Sequence, residues 1–451
     1  MNELARQLNT ALENTITGAL LSARGRRIYF PRGIVAQSAE AKEQAHKLNA
    51  TAGIAVQGGQ PLHLSPIRAH IPDLSPEEIF SYAPTAGHPR LRELWRREML
   101  EKNPSLKGKR ISLPIVVSGL THGLSVLADL FVEPGDMVIL PDLYWGNYRL
   151  IFEDRMEALI RTFPLFDEAG ALNLQGLAKL LTPRSAQLSA QAAPPAGSSR
   201  ASSGERMSAK VILVLNFPNN PTGYSPIRAE AEQLHALLSE TAETGRQLLL
   251  ICDDAYFGLF YEPEIYPQSL FAEAADLHKN ILAVKVDGAT KENLVWGFRV
   301  GFLTFASRGM AGQEDAFQAL SQKVLGAVRS SISNSSTLGQ NLLMRGMQAP
   351  NYEEEKQRMF GILEARYRRS REILNKLEGP LRVLPFNSGY FLCFDTGGVS
   401  AERLRQRLLR SDGIGTISIQ DRYLRVAYSS VDLENLEELY GTIMRRASEL
   451  S

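Results

Sequence analysis

The chain has 451 residues, 44% hydrophobic and 22% charged, with 50 Lys and Arg against 49 Asp and Glu for a formal charge of +1. That length supports one large core or two ordinary ones without covalent staples, and the even charge balance argues against a polyanion-binding surface, so nucleic acid is not an expected partner. Two cysteines, Cys252 and Cys393, cannot form a disulfide framework and lie in apolar runs, which predicts reduced thiols and a cytoplasmic protein; no run of eighteen apolar residues predicts a membrane span.

In chain order, the opening "MNELARQLNTALENTITGALLSARGRR" carries charges throughout and no continuous apolar stretch, so no export signal is expected. The following "RRIYFPRGIVAQSAEAKEQAHKLNATAGIAV" predicts an arm and a helix, and residues 1–60 are assigned to an N-terminal arm and part of a smaller domain. From Ile111, "ISLPIVVSGLTHGLSVLADLFVEPGDMVILPDLYW" reads as strand, turn, helix, Pro-Gly-Asp turn and strand. From Val211, "VILVLNF", "AEAEQLHALLSETAETG", "QLLLICDD" and "ILAVKVD" alternate β-branched runs with a helical pattern, the mark of βαβ units. These predict a large α/β domain over residues 61–345, a mostly parallel central sheet flanked by helices. Within it, Thr182 to Lys210, "TPRSAQLSAQAAPPAGSSRASSGERMSAK", is rich in Ser, Ala, Pro and Gly and predicts a flexible surface insertion. Beyond Asn351 a long charged helix and the short strands "LRVLPF", "GYFLCFD" and "YLRVAYSS" predict a smaller α+β domain over residues 346–451.

Six stretches at strand ends or turns of this scaffold carry chemistry: "YAPTAGHPRLREL", "YWGNY", "NFPNNPTG", "DDAY", "TKENLVWGFRVG" and "RSSISN". In open α/β sheets, ligands bind at the carboxyl ends of strands, where such turns meet. Taken singly, each key residue has an ordinary reading. Lys291 would be a solvated lysine with a packed stem, Asp253 a turn aspartate, Trp145 a core ring, Tyr82 a half-buried loop aromatic and Arg329 a solvated arginine. In this order, the six stretches resemble the aspartate aminotransferase family, the fold type I, class I aminotransferases that use pyridoxal 5'-phosphate (PLP). The resemblance runs from about Asn49 to Asn435.

That resemblance implies a role for each residue. Lys291 matches the lysine that links to the cofactor aldehyde; an amine is nucleophilic only when neutral, so a desolvated pocket rich in cations is expected to lower its pKa. Asp253 matches the carboxylate that pairs with the protonated ring nitrogen, an opposite charge shifting a pKa by roughly 1–3 units. Tyr256 and Asn220 match the pair that hydrogen-bonds the phenolic oxygen, while Pro221, Thr222 and Gly223 read as a structural turn. The backbone N–H groups of Leu120, Thr121 and His122 at a helix N-terminus, with the fork of Arg299, match the phosphate site. Gly297 and Gly301 are expected to admit close backbone approach there. Trp145 matches the ring that stacks on the cofactor. Tyr82 matches a tyrosine that reaches the phosphate of a neighbouring subunit, implying a homodimer with shared active sites. One position departs from the pattern: Gly288 stands where the family usually carries a small hydroxylated residue, with Thr290 as the candidate replacement.

For the substrate, Arg425 matches the arginine that receives the α-carboxylate, with Arg422 as its competitor on the opposite strand face, and Gly53 resembles a glycine near the same carboxylate. Arg329 matches the residue that reads a distal carboxylate across the dimer interface. It favours aspartate, glutamate and their 2-oxo acids, with aromatic amino acids still open because relatives can keep this arginine and swing it aside. The implied activity is a PLP-dependent transaminase acting between an L-amino acid and a 2-oxo acid, with no metal. A lyase or decarboxylase on the same scaffold would use the same cofactor residues. A non-catalytic binding protein of the same fold is a third reading, disfavoured because every cofactor-facing position carries a competent residue.

Overall fold

Strands that read as continuous apolar runs in the sequence lie side by side at the centre of the protein, buried on both faces as βαβ crossovers require. The computed structural model describes residues 1–12, 26–27, 34–51, 53–182, 210–310 and 314–451. The insertion expected over residues 182–210 thus lies outside the described residues except at its two ends, as does most of the arm before Ile34.

The main sheet has seven strands: β1 (Ile115–Val117), β2 (Met137–Pro141), β3 (Leu159–Phe163), β4 (Lys210–Asn216), β5 (Gln247–Asp253), β6 (Ile281–Gly288) and β7 (Gly301–Ala306). Their order is β1-β7-β6-β5-β4-β2-β3. All neighbours are parallel except β7, which runs antiparallel to both β6 and β1. Ile111 was expected to open the sheet, but regular pairing begins at Ile115. Ser112 N–H donates to the Phe305 carbonyl, and then Pro114, with no N–H, interrupts the ladder.

Side-chain alternation divides the core. Ile212, Val214, Ile251, Val284 and Val286 join one cluster with Leu124 and Leu127 of helix α2 (Leu120–Phe131). Leu213, Leu215, Leu250 and Cys252 join the other, with Leu234 and Leu238 of helix α3 (Arg228–Glu243). Helix α1 (Pro89–Lys102) supplies Leu91, Leu94 and Trp95 to the first cluster.

The register of the parallel strands positions the site. Asn216 of β4 pairs with Asp253 of β5, and Asp253 pairs with Val286 of β6, so β4 and β5 finish level and β6 runs two residues further, to Gly288. Helix α4 (Ala289–Glu292) begins directly after β6 and carries Lys291. Helix α5 (Glu314–Ser331) follows β7, and the long charged pattern after Asn351 forms helix α6 (Tyr352–Leu374).

The three short strands foreseen near the end pair, with a fourth, as an antiparallel sheet. It comprises β8 (Arg382–Val383), β9 (Leu392–Asp395), β10 (Ile417–Ile419) and β11 (Tyr423–Val426), in the order β8-β9-β11-β10. The helix foreseen near the start, Ile34–Gln44, docks on this second sheet. The Gln37 amide exchanges hydrogen bonds with the Ser418 backbone at 2.8 and 3.1 Å, and Glu40 pairs with Arg405 at 2.8 Å. Cys252 and Cys393 are free and buried. Among the described residues, no helix is long and apolar enough to cross a membrane.

Candidate active site

Where β4, β5 and β6 end, a cavity of about 200 Å³ opens. One end is formed by Leu120 and Thr121 at the start of α2, together with Arg299. Trp145, Asn220, Asp253, Tyr256 and Lys291 also line it. Four of the six stretches, "YWGNY", "NFPNNPTG", "DDAY" and "TKENLVWGFRVG", therefore meet at one place with the start of α2.

The centre holds a buried acid, Asp253, and a half-buried lysine, Lys291, lining the same cavity. Asp253 is 3% exposed, and its Oδ2 accepts a 2.6 Å hydrogen bond from the Tyr148 hydroxyl while Oδ1 accepts from the Ala255 N–H at 3.2 Å. Asn216 Nδ2 donates to the Asp253 carbonyl at 2.8 Å and fixes the end of the strand. Burial pushes the Asp253 carboxyl up to about 6, with Tyr148 and Lys291 pulling it back toward ionisation. Burial pushes the Lys291 ammonium down to about 8, opposed by Asp253 and reinforced by the positive charge of Arg299. The Lys291 nitrogen lies 4.9 Å from the centroid of the Tyr256 ring.

On the side toward the second sheet, Arg425 projects from β11. It is 3% exposed, and burial lowers its pKa to about 10, which leaves it a cation at neutral pH. Its Nη1 donates to Asn220 Oδ1 and its Nη2 to the Thr51 carbonyl, each at 2.9 Å, and its guanidinium lies 4.3 Å from the Phe391 ring centroid. Arg425 Nε is buried without a partner among the described residues. The competing Arg422 faces the other way, paired at 2.9 Å with Asp395. Gly53 lies against the same corner: a Cβ there would come 3.9 Å from the Tyr256 hydroxyl.

At the far end, α2 starts with Gly119 at φ 77°, with no side chain capping its free N–H groups. A Cβ on Gly119 would stand 2.3 Å from Arg299 Nη2, and one on Gly301 would stand 2.9 Å from the Gly119 carbonyl carbon. The glycines thus leave room for the guanidinium and the start of β7 to lie against the helix start. Arg299 itself adopts a left-handed φ of 55°, unusual for a residue with a Cβ. Gly297 does not share this role, since a Cβ there meets nothing within 4 Å.

Three other expectations are revised or relocated. His122 does not line the cavity; its Nδ1 accepts from the Ser118 N–H at 3.1 Å and its Nε2 pairs with Ser331 Oγ at 2.9 Å, so its ring ties α2 to α5. Tyr82, read alone as half-buried, is 91% exposed because it stands on a surface loop. Arg329 is exposed in the last turn of α5, donating to Ser333 Oγ at 2.6 Å, and lies outside the cavity.

Four lining residues were given no role from the sequence: Tyr148, Asn216, Ala255 and, beyond a bare candidacy, Thr290. Tyr148 stands three residues after Trp145 in "YWGNY", a helical-turn spacing that shares a face. Thr290 Oγ1 is buried without a partner among the described residues. Gly288 has a steric reason to lack a hydroxyl: a Cβ would lie 2.7 Å from the Val300 carbonyl oxygen of the neighbouring segment.

This donor set fits PLP. A carboxylate faces a position for a ring nitrogen, an amine faces a position for an aldehyde, and uncapped helix N–H groups with a pinned arginine face a position for a dianion. The orphaned Thr290 hydroxyl and Arg425 Nε are donors held ready for a ligand. Among the described residues no cluster of metal-binding side chains occurs. A larger hollow of about 410 Å³ opens beyond Lys291 toward α6, but its walls are largely apolar and its Glu292 is already paired with Lys102 and Lys356.

The family profile for "Aminotransferase class I and II" matches residues 41–443. The aspartate/prephenate aminotransferase of Thermus thermophilus is 24% identical over 383 residues, covering 81% of this chain and 84% of its own length. Among solved structures, an aminotransferase from Anaerococcus prevotii superposes with a TM-score of 0.79 at 21% identity, over 95% of this chain and 99% of that one. The aspartate aminotransferase of Thermus thermophilus with maleate superposes with a TM-score of 0.70 at 21% identity, over 94% of this chain and 99% of that one.

Proposed function

The chain belongs to the class I and II aminotransferases and is a PLP-dependent transaminase, and from that premise we propose that it passes the amino group of a dicarboxylic L-amino acid, aspartate or glutamate, to a 2-oxo acid. The observation that carries the assignment of residues is that Lys291, Asp253 and Arg299 line one cavity, with Arg425 hydrogen-bonded to the lining residue Asn220.

PLP supplies the aldehyde that takes up the amino group and the ring that withdraws electrons from the substrate α-carbon. Each side chain then has a definite task. Burial lowers the Lys291 amine to about 8, which favours the neutral nucleophilic form, and its nitrogen would carry the proton to and from the α-carbon. Asp253 accepts from the ring nitrogen, held in place by Tyr148 and the Ala255 N–H. Arg299 and the N–H groups of Leu120 and Thr121 hold the phosphate, with the backbone N–H of His122 behind them. Thr290 replaces the hydroxyl that Gly288 cannot supply. Trp145 covers the ring face. Asn220 Oδ1 is taken by Arg425, which leaves its Nδ2 to donate beside the Tyr256 hydroxyl to the phenolic oxygen.

Arg425 receives the substrate α-carboxylate with its free Nε–H and the remaining Nη hydrogens, beside the Gly53 backbone. Tyr82 and Arg329 are exposed and lie outside this cavity, so we assign them to the cavity of a second subunit in a homodimer with shared sites. A dicarboxylate, maleate, accompanies the Thermus thermophilus structure, which supports acidic substrates here. Buried reduced Cys252 and Cys393 support a cytoplasmic location.

The test is incubation of purified protein carrying PLP with aspartate and 2-oxoglutarate. Glutamate should accumulate, and borohydride reduction followed by peptide mass analysis should find the cofactor on Lys291. Release of carbon dioxide or ammonia from aspartate without glutamate would replace this reading with a lyase.

A further inference from the structure

Behind the cofactor-facing side of the sheet lies a second set of ionisable side chains that the reaction does not touch. Lys285, within β6, is 1% exposed and borders neither of the hollows described above. Its ammonium donates to Asp254 Oδ2, stands 3.5 Å from Asp287 Oδ2 and lies 4.2 Å from the Phe257 ring centroid. Asp254 Oδ2 also accepts from Ser269 Oγ at 2.5 Å, and Asp287 Oδ2 accepts from Trp95 Nε1 at 3.1 Å. Asp287 Oδ1 is buried without a partner among the described residues.

Strand geometry explains the sidedness. Lys285 and Asp287 stand two apart on β6 and so share a face. Asp254 follows Asp253 directly, and its N–H donates to the Val286 carbonyl at 2.9 Å. Two consecutive buried carboxylates therefore have different partners: Asp253 is bound by Tyr148 in the cavity, and Asp254 by Lys285 outside it.

An ammonium inside a central strand gives up its hydration, a cost that an apolar residue would avoid. What it offsets is charge. Two adjacent carboxylates disfavour each other's ionisation, and Asp253 must be ionised to hold a protonated ring nitrogen. The other groups near Lys285 leave its charge to the two aspartates. Cys252 is its register partner on β5, and Glu292 is occupied by Lys102 and Lys356.

We propose that Lys285 is a positioning residue for the reaction: its ammonium takes up the charge of Asp254 and Asp287 behind the sheet, so that Asp253 presents the uncompensated carboxylate to the cofactor ring. This rests on the reading of Asp253 as the ring-facing acid.

The test titrates PLP into apo-protein and follows absorbance at pH about 5, below the Asp253 value, and at about 8.5. Lys285→Met should weaken binding about tenfold at the lower pH, the equivalent of one pKa unit at Asp253, and most of the loss should vanish at the higher pH, where Asp253 ionises again. Adding Asp254→Asn to Lys285→Met restores the net charge while removing both ends of the ion pair, and should return affinity to within about threefold of the parent. A merely structural clamp predicts the opposite, with the double variant binding no better than the single one at either pH; that result, or a single variant that binds as the parent does, overturns the proposal. Should Lys285→Met not fold, Asp254→Asn decides: binding should persist about one pH unit further into acid, and an unchanged profile is the contrary result. Parent protein that binds no PLP would overturn the assignment of Asp253 as well, whereas normal parent binding with unaffected variants overturns this proposal alone.

Discussion

The Tyr148 hydroxyl donates a 2.6 Å hydrogen bond to the Asp253 carboxylate inside the site, and both side chains are buried. A hydrogen bond to a charged, desolvated group is worth about 1.5–3 kcal/mol. Tyr148→Phe keeps the ring and removes that bond, so Asp253 should be harder to ionise. PLP affinity at neutral pH is expected to fall roughly 10- to 100-fold. Equilibrium titration of apo-protein checks this, and unchanged affinity would show that Asp253 does not depend on Tyr148.

The pH dependence of apo-protein stability has a definite sign. Asp253 and Asp287 have folded pKa values raised from 3.8 to about 6, so between those values the folded state binds more protons than the unfolded chain. Their contribution to stability therefore falls as pH rises from about 4 to about 6. Lys291, lowered from 10.5 to about 8, works in the other direction: stability rises between pH about 8 and about 10.5. Asp253→Asn should flatten the acid slope by on the order of 1–3 kcal/mol, measured by urea unfolding at several pH values.

Two glycines four residues or fewer from functional positions should respond differently to the same substitution. Gly119→Ala puts a Cβ 2.3 Å from Arg299 Nη2 at a φ of 77°, whereas Gly297→Ala meets nothing within 4 Å. The first should destabilise by about 1–3 kcal/mol and weaken PLP binding, and the second should change stability by less than about 0.5 kcal/mol. Thermal unfolding of both variants, with and without PLP, separates the cases. Equal effects would remove the packing argument for the phosphate end.

Arg425→Lys retains a positive charge but not the planar fork that bonds Asn220 and the Thr51 carbonyl at once. Substrate kcat/KM should fall on the order of 100-fold, while the absorbance of bound PLP should persist because Arg425 does not line the cavity and reaches it through Asn220. Steady-state kinetics with aspartate, alongside absorbance spectra, tests both halves.

The family and most residues that line the cavity were legible because each turn motif is short, and its chemistry depends on residue type and order along the chain. The main sheet was legible for a related reason: parallel strands buried on both faces read as apolar runs, as in "VILVLN" and "QLLLIC". Partners set by folding were not legible. Tyr148 meets Asp253 across a sequence separation of 105 residues, and Arg425 meets Asn220 across 205. Nor does any local pattern separate the silent Gly297 from Gly119 and Gly301, because closeness depends on which segment lies opposite.

By itself, then, the sequence determined the alternating scaffold, the lysine and aspartate at its strand ends, and the arginines suited to anions, since these follow from side-chain chemistry and hydrophobic period. The tertiary structure alone decided which polar groups are desolvated together. It placed Asp253 beside Tyr148 at the cavity, tied Lys285 to Asp254 and Asp287 outside it, and left Tyr82 and Arg329 on the exterior. The physical reason is that pKa values and charge pairing depend on distance and burial in three dimensions, which no spacing along the chain encodes.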